Sequence, residues 1–408
     1  MKCLNKNNSF DLIFCFLYHI DMNNIVSMEY LDNYDIIKVQ NAVDKQLLDL
    51  KIAQIFKPKM KVLIKVCAPD MSGPDMGKST HPSIVRAVVK ALTEFGAKCV
   101  VADSPYGKYN LQNLDAVYLN TGMLEVANLT TCELNRDLRT LTHETPNGVK
   151  AKSLDLLKIA TDCDAIVTIG KAKIDSRLGY FGAVANLFGL VPGDLKSIVL
   201  NRLDTLKDFN NYVLDIYENL KNKIVLNVVD GIVALEMGNS QRMLSCLAMS
   251  ENIFALDMAI MNILGIKPAN TILKQAEERD LFDGTKPLRQ IGEGTLRFRV
   301  EDFGVGDFNE LTPINEDLKA SKSYFKKYQK RVDINGKRCK GCEVCSKICP
   351  TKAITMKIDA NGELFACVDY KKCIYCNKCH TACPYKVVEI IEPKGYKKVN
   401  KEIENHNK

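Results

Sequence analysis

Two runs of cysteine constrain this chain more than any other feature. CKGCEVCSKICP sets Cys339, Cys342, Cys345 and Cys349 before Pro350, and CIYCNKCHTACP sets Cys373, Cys376, Cys379 and Cys383 before Pro384. Both have the spacing C-x2-C-x2-C-x3-C-P. Thiolates so close in sequence wrap one corner of an inorganic core, and the proline then turns the chain away. The chain has 16 cysteines, and nine lie between positions 339 and 383. A secreted disulfide framework spreads its cysteines through a small domain. This clustering points instead to metal ligation in a reducing compartment. Zinc sites take four ligands, usually in two pairs joined by a longer gap, and two tight quartets ended by Cys-Pro do not match that.

The two runs resemble the signature of bacterial two-cluster ferredoxins. The resemblance implies a small α+β ferredoxin-like domain over residues 331–395 with two [4Fe-4S] clusters. It implies that Cys339, Cys342, Cys345 and Cys383 hold one cluster. Cys373, Cys376, Cys379 and Cys349 hold the other, because the fourth cysteine of each run reaches across. Such a pair moves single electrons, generally at low potential.

The remainder reads as globular. A chain of 408 residues with 46% hydrophobic content has room for two or three domains. The net charge is +7, and from Arg331 onward 16 Lys or Arg against 9 Asp or Glu carry an excess equal to it. That bias suits an acidic redox partner (a ferredoxin, flavodoxin or reductase) as well as an ordinary solvated face. Basic and aromatic residues interleave too sparsely for a nucleic-acid surface. The apolar run 12–18 follows basic residues, but it lacks a small-residue cleavage pattern and is too short to span a bilayer. Residues 1–22 therefore read as a loose extension, with Met22 as an alternative start. No membrane span is expected, and the expected location is the cytoplasm.

Residues 23–310 read as one α/β domain. KVLIKV (Lys61–Val66) is a strand, HPSIVRAVVKALTEFGA a helix with Pro82 in its first turn, and KCVVAD the next strand. Further strands are expected at 163–170 (CDAIVTIG), 223–230 (KIVLNVVD) and in LSCLAMS, with helices over 204–220 and in ENIFALDMAIMNILG. Strand–helix alternation predicts a large, open, mostly parallel sheet with helices on both faces. A polar, basic linker follows at 311–330, and residues 396–408 form a tail. GKST at 77–80 is no phosphate loop: a Walker A motif needs glycine at 72, where Ser72 stands, and Pro74 lacks an N–H.

Open α/β sheets bind ligands beyond the carboxyl ends of their strands. Those ends carry Asp103 and Ser104, then Lys171 and Lys173, then Asp230 with Glu236 following. Two ammonium groups two residues apart suit an anion. Asp103 and Asp230 suit a proton or a metal, although Asp and Ser at strand ends also cap turns. The adjoining RLGYFGAVANLFGLVPG reads either as a mobile lid or as a packed loop.

The stretches THPSIVRAVVKALTEFGA, VADSPYG, GKAKID, NLFGLVPG, VVDGIVALEMGN and FALDMAIMNILG resemble, in order, the DUF362 family, whose function is undefined and whose members are often fused to a ferredoxin module. The resemblance implies an α/β fold and maps the family's motifs onto Asp103–Ser104–Pro105, Lys171 and Lys173, 186–189, and Asp230, Glu236 and Asp257. Asn186, Ser104 and Glu236 are the cofactor-binding candidates; Lys171, Lys173, Asp103 and Asp230 are the catalytic ones. This chain departs from the pattern at Ile174–Asp175, where Thr-His is usual, at Val66–Cys67, where Pro-Asn is usual, and at Ala185, where Lys is usual. Three readings stand: a ferredoxin-linked oxidoreductase acting on a small anionic substrate or bound cofactor, a non-catalytic electron carrier or docking protein, and a redox or oxygen sensor with structural clusters.

Overall fold

A computed structural model describes residues 24–268, 271–306, 331–349, 352–370, 372–373 and 378–391. The expected extension, linker and tail lie outside the described residues. The chain divides into two compact units. One holds Val149–Gly193 with the described parts of 1–145 and 206–312. The other holds Pro146–Gly148, Asp194–Thr205 and the described parts of 313–408.

In chain order the first unit has strands β1 (Ile25–Tyr30), β2 (Lys61–Val66), β3 (Lys98–Ala102), β4 (Glu133–Leu134), β5 (Thr140–Glu144), β6 (Ser153–Leu157), β7 (Ala165–Asp175), β8 (Gly179–Phe181), β9 (Ile224–Leu235), β10 (Gln241–Ser250) and β11 (Arg289–Gly292). Nine of them form one sheet in the order β11-β1-β10-β9-β7-β2-β3-β4, with β8 on β7; β5 and β6 make a separate hairpin. The pairings of β1 with β11, β9 with β7, β7 with β2, β2 with β3 and β3 with β4 are parallel. Strand β10 is antiparallel to both neighbours, and β8 to β7. The sheet is thus mostly parallel, as the alternation predicts, but it is mixed.

Local sequence explains the elements. In β2, Val62, Leu63, Ile64 and Val66 are all fully buried, as a strand covered on both faces requires. The helix Pro82–Glu94 begins on the fixed φ of Pro82 and buries Ile84, Val85, Val88, Val89 and Leu92 completely. Each such side chain contributes about 1.5–3 kcal/mol. These residues and Val39 and Val43 of the helix Ile36–Asp49 share one core with Val62, Ile64 and Val66. The helix Ile253–Ile263 packs on β9 and β10.

Three readings are refined. Strand β7 does not stop at Gly170 but runs through Lys171 and Lys173 to Asp175, because β8 and β9 supply ladder partners beyond the rim. The segment after it is packed: β8 leads into the helical turn Ala183–Asn186, whose residues are all buried. And GKST opens no helix: Gly77 caps a single 3-10 turn, Pro74–Met76, and the helix waits until Pro82.

The second unit contains strands β12 (Arg331–Ile334), β13 (Ile354–Ile358), β14 (Leu364–Val368) and β15 (Val388–Ile391), and short helices Val344–Ile348 and Lys378–Ala382. β12 pairs antiparallel with β15, and β13 with β14. Each helix sits inside a cysteine run. The core is small: Val332, Ile354, Ala366 and Val388 with Cys345 and Cys379.

Candidate functional site

Two buried ion pairs lie where β2 and β3 end and, beside them, part-way along the longer strands β7 and β9. Strand β2 places Lys65 between the core residues Ile64 and Val66, so the pleat sends it to the opposite face. There its fully buried ammonium lies 3.0 Å from Asp103 Oδ1, donates to Asn186 Oδ1 at 2.9 Å and reaches the Val66 carbonyl at 2.6 Å. Asp103 Oδ2 accepts from the Ala68 N–H, and Oδ1 from the Ser104 N–H at 2.8 Å. Ser104 N also donates to the Gly189 carbonyl. Asn186 returns a bond from Nδ2 to the Lys65 carbonyl.

The second pair joins β7 to β9. Lys171 and Asp230 are cross-strand partners, with Nζ 2.8 Å from Oδ2 and both side chains at most 1% exposed. Tyr34 completes the node. Its hydroxyl accepts from Lys171 Nζ at 2.9 Å and donates to Asp230 Oδ1 at 2.9 Å. Asp230 also accepts from the His81 and Ile232 N–H groups. Burial pushes the Lys171 ammonium below its ordinary value, against the opposing pull of Asp230. Burial, with Asp230 adding, pushes the Tyr34 hydroxyl far up. A buried pair with every lone pair satisfied fixes geometry more than it adds stability.

Lys173 differs. It is half-buried, and among the described residues its ammonium has no carboxylate partner. Nζ lies 3.2 Å from Cys67 Sγ and 3.1 Å from the Lys78 carbonyl, with the Phe181 ring centroid 5.3 Å away.

The structure divides the two carboxylates between two ion pairs, with Lys173 close enough to Lys171 to act on its charge. Asp103 belongs to Lys65 and Asn186; Asp230 belongs to Lys171. Glu236 is elsewhere: it sits at the β9–β10 turn, where it pairs with Arg242 at 2.9 Å. Asp257 has a positioning geometry. It accepts from the Ala183 and Val184 N–H groups at 2.7 and 3.0 Å and from the Tyr180 hydroxyl at 3.1 Å. It thereby anchors the turn that delivers Asn186. Burial pushes its carboxyl up to about 6 despite those bonds. Sequence reading did not single out Lys65, Tyr34 or Cys67 as site residues. Lys65 was visible as a charge inside an apolar strand; Tyr34, 137 positions from Lys171, left no local signal.

In the second unit, Cys339, Cys342, Cys345 and Cys383 line one cavity with Ile334, Met356 and Val388. Burial, with Cys339 and Cys342 adding, raises the Cys345 thiol. Burial also acts to raise Cys383, but the N–H groups of Val387, Tyr385, Val388 and Lys386 outweigh it and hold the thiol below its ordinary value. Cys349 Sγ accepts from the Ala353 N–H at 3.2 Å, and Cys349, Cys373 and Cys383 pack against the small core. Cys376 lies outside the described residues. Among the described residues no three His, Cys, Asp or Glu converge on a single-ion site. A cubane instead spreads its four ligands over separate corners, and a cavity ringed by sulfurs and aimed N–H groups fits one. Among the described residues no single helix is long and apolar enough to cross a membrane.

A family model described as a domain of unknown function, DUF362, matches residues 62–262, and one described as a 4Fe-4S dicluster domain matches residues 338–387. The thylakoid-associated protein sll1697 of Synechocystis sp. is 30% identical over 229 residues, which cover 55% of this chain and 68% of that protein. Among solved structures, the lactate racemase apoprotein of Thermoanaerobacterium thermosaccharolyticum aligns at 16% identity with a TM-score of 0.38, over 59% of this chain and 56% of its own. A Thermotoga maritima protein aligns at 12% identity and 0.36, over 57% and 59%. The chain thus spans a little over half the length of these two solved chains.

Proposed function

We propose that this chain, which belongs to the DUF362 family and carries a 4Fe-4S dicluster domain capable of binding two [4Fe-4S] clusters, takes up single low-potential electrons and passes them to a small anion or bound cofactor at the rim of its α/β unit. The observation that carries this reading is the cavity ringed by Cys339, Cys342, Cys345 and Cys383, drawn from both runs. Those four would hold one cluster, and Cys349, Cys373, Cys376 and Cys379 the other. Bound clusters supply one-electron transfer. The α/β unit's own contribution is electrostatic. Lys173, without a carboxylate among the described residues, meets the anion; Lys171, Asp230 and Tyr34 hold the middle of β7 against β9 beside it; Asp103, Lys65, Ser104 and Asn186 fix the adjoining loop.

Oxygen-free purification tests the first half. About eight irons and as much acid-labile sulfide per chain are expected; a folded protein with neither, or with zinc instead, would falsify it. Lys171→Ala and Lys173→Ala test the second half, and unchanged binding of small anions in both removes the site assignment. A non-catalytic carrier is the second reading. The mutual neutralisation of Lys65 with Asp103 and of Lys171 with Asp230, all four buried, favours it, since neither pair presents a net charge to a substrate. An acidic redox protein such as a ferredoxin or flavodoxin is the partner that the basic carboxyl-side segment suits in either case.

A further inference from the structure

Residues 78–81 are tied to the sheet at three points. The Lys78 carbonyl accepts from Lys173 Nζ. Thr80 Oγ1 accepts from the Cys67 N–H at 3.0 Å and donates to the Ile169 carbonyl at 2.7 Å. The His81 N–H donates to Asp230 Oδ2 at 3.0 Å. Two further contacts hold the His81 ring. It stacks on Tyr34 with centroids 3.7 Å apart and planes 12° from parallel. Its Nδ1 accepts from the Ser83 N–H at 3.2 Å, which caps the helix Pro82–Glu94. A nitrogen that accepts carries no proton, so these hydrogen bonds assign the neutral Nε2–H tautomer. Among the described residues Nε2 has no hydrogen-bond partner, and the ring is half-buried. The same run leaves the Ser79 hydroxyl, fully buried, without a partner among the described residues.

We propose that His81 is a neutral imidazole whose Nε2–H donates to an oxygen of the small anion that Lys173 attracts. This rests on the reading that the rim binds an anion, and it narrows the ligand to one with a carboxylate, carbonyl or phosphate oxygen. Protonating the ring would turn both nitrogens into donors and break the Ser83 cap. Of the charged groups around it, Lys171 opposes that proton while Asp230 and Asp75 favour it, and burial holds the imidazole below its ordinary value. A fixed neutral donor stabilises charge developing on oxygen without giving up its proton.

Histidine-selective nitrogen-15 labelling of the full chain tests this. The chain has five histidines, and His81→Asn, which keeps a good helix cap, assigns the resonance. The neutral Nε2–H form is expected at neutral pH, since burial lowers the proton affinity of the ring. Acetate, pyruvate and inorganic phosphate serve as probes. At least one is expected to shift the His81 Nε2 signal saturably, and Lys173→Gln to weaken that binding about tenfold or more. An imidazolium at neutral pH, the Nδ1–H tautomer, or no saturable shift with any probe overturns the inference. Iron, sulfide and dithionite reduction measured on the same sample separate the two claims. Intact clusters with a silent His81 sink this inference alone; absent clusters with a responsive His81 support it and sink the electron-transfer reading.

Discussion

Lys171 and Lys173 stand two residues apart, yet their surroundings assign them opposite tasks, and stability measurements will tell them apart. Asp230→Ala leaves the Lys171 charge buried and uncompensated, so a loss of about 3–5 kcal/mol is expected by chemical denaturation. Lys173→Ala is expected to cost less, about 1 kcal/mol, because among the described residues its ammonium has no carboxylate to leave uncompensated and the main loss is its bond to the Lys78 carbonyl. Asp257 gives a pH signature. Its carboxyl titrates near 6 in the folded chain and near 3.8 when unfolded. The folded state therefore binds this proton more tightly, and stability falls as pH rises from about 4 to about 6, by about 3 kcal/mol, then levels off. Denaturation midpoints across that range are expected to show the decline in the parent and not in Asp257→Asn. A decline of equal size in both would assign it to other groups.

At the scale of elements, the apolar periods of β2 and of the helix Pro82–Glu94 were open in the sequence, because each element buries its own pattern. The course of β7 was not. GKAKID is too polar to announce a strand, and only the ladder partners on β8 and β9 hold it extended. The packing of the segment after β8 was equally hidden, since glycine and aromatics serve a lid and a packed turn alike. Its packing is tight at Gly189, where a Cβ would stand 2.2 Å from Asp103 Oδ1 and 2.4 Å from Lys65 Nζ. Gly189→Ala is thus expected to displace the Leu187–Leu190 turn and cost about 1–3 kcal/mol, seen as a lower melting temperature. Unchanged melting would mean that the turn yields freely.

For the molecule as a whole, the cysteine spacing announced the cluster-binding unit outright, because ligand chemistry is written in consecutive residues. The rim of the sheet was legible only as a list of strand ends; which lysine meets which aspartate depends on register and pleat. The two units also differ in what sustains them. In the second, the cluster that joins β12–β15 has only six buried residues among those described, too few to hold a fold without the inorganic groups. Anaerobic chelation of iron is expected to abolish amide-exchange protection across β12–β15 while β2, β7 and β9 stay protected. Retained protection in β12–β15 would show a scaffold that stands alone. The first unit has its own mechanical character. β1, near its beginning, lies between β10 and the edge strand β11, with Ile25 abreast of Arg289. A tug on the backbone ahead of β1 would load the ladders on both its flanks in shear, so this border would resist being threaded into a protease or a translocation pore far better than a strand that can be unzipped bond by bond.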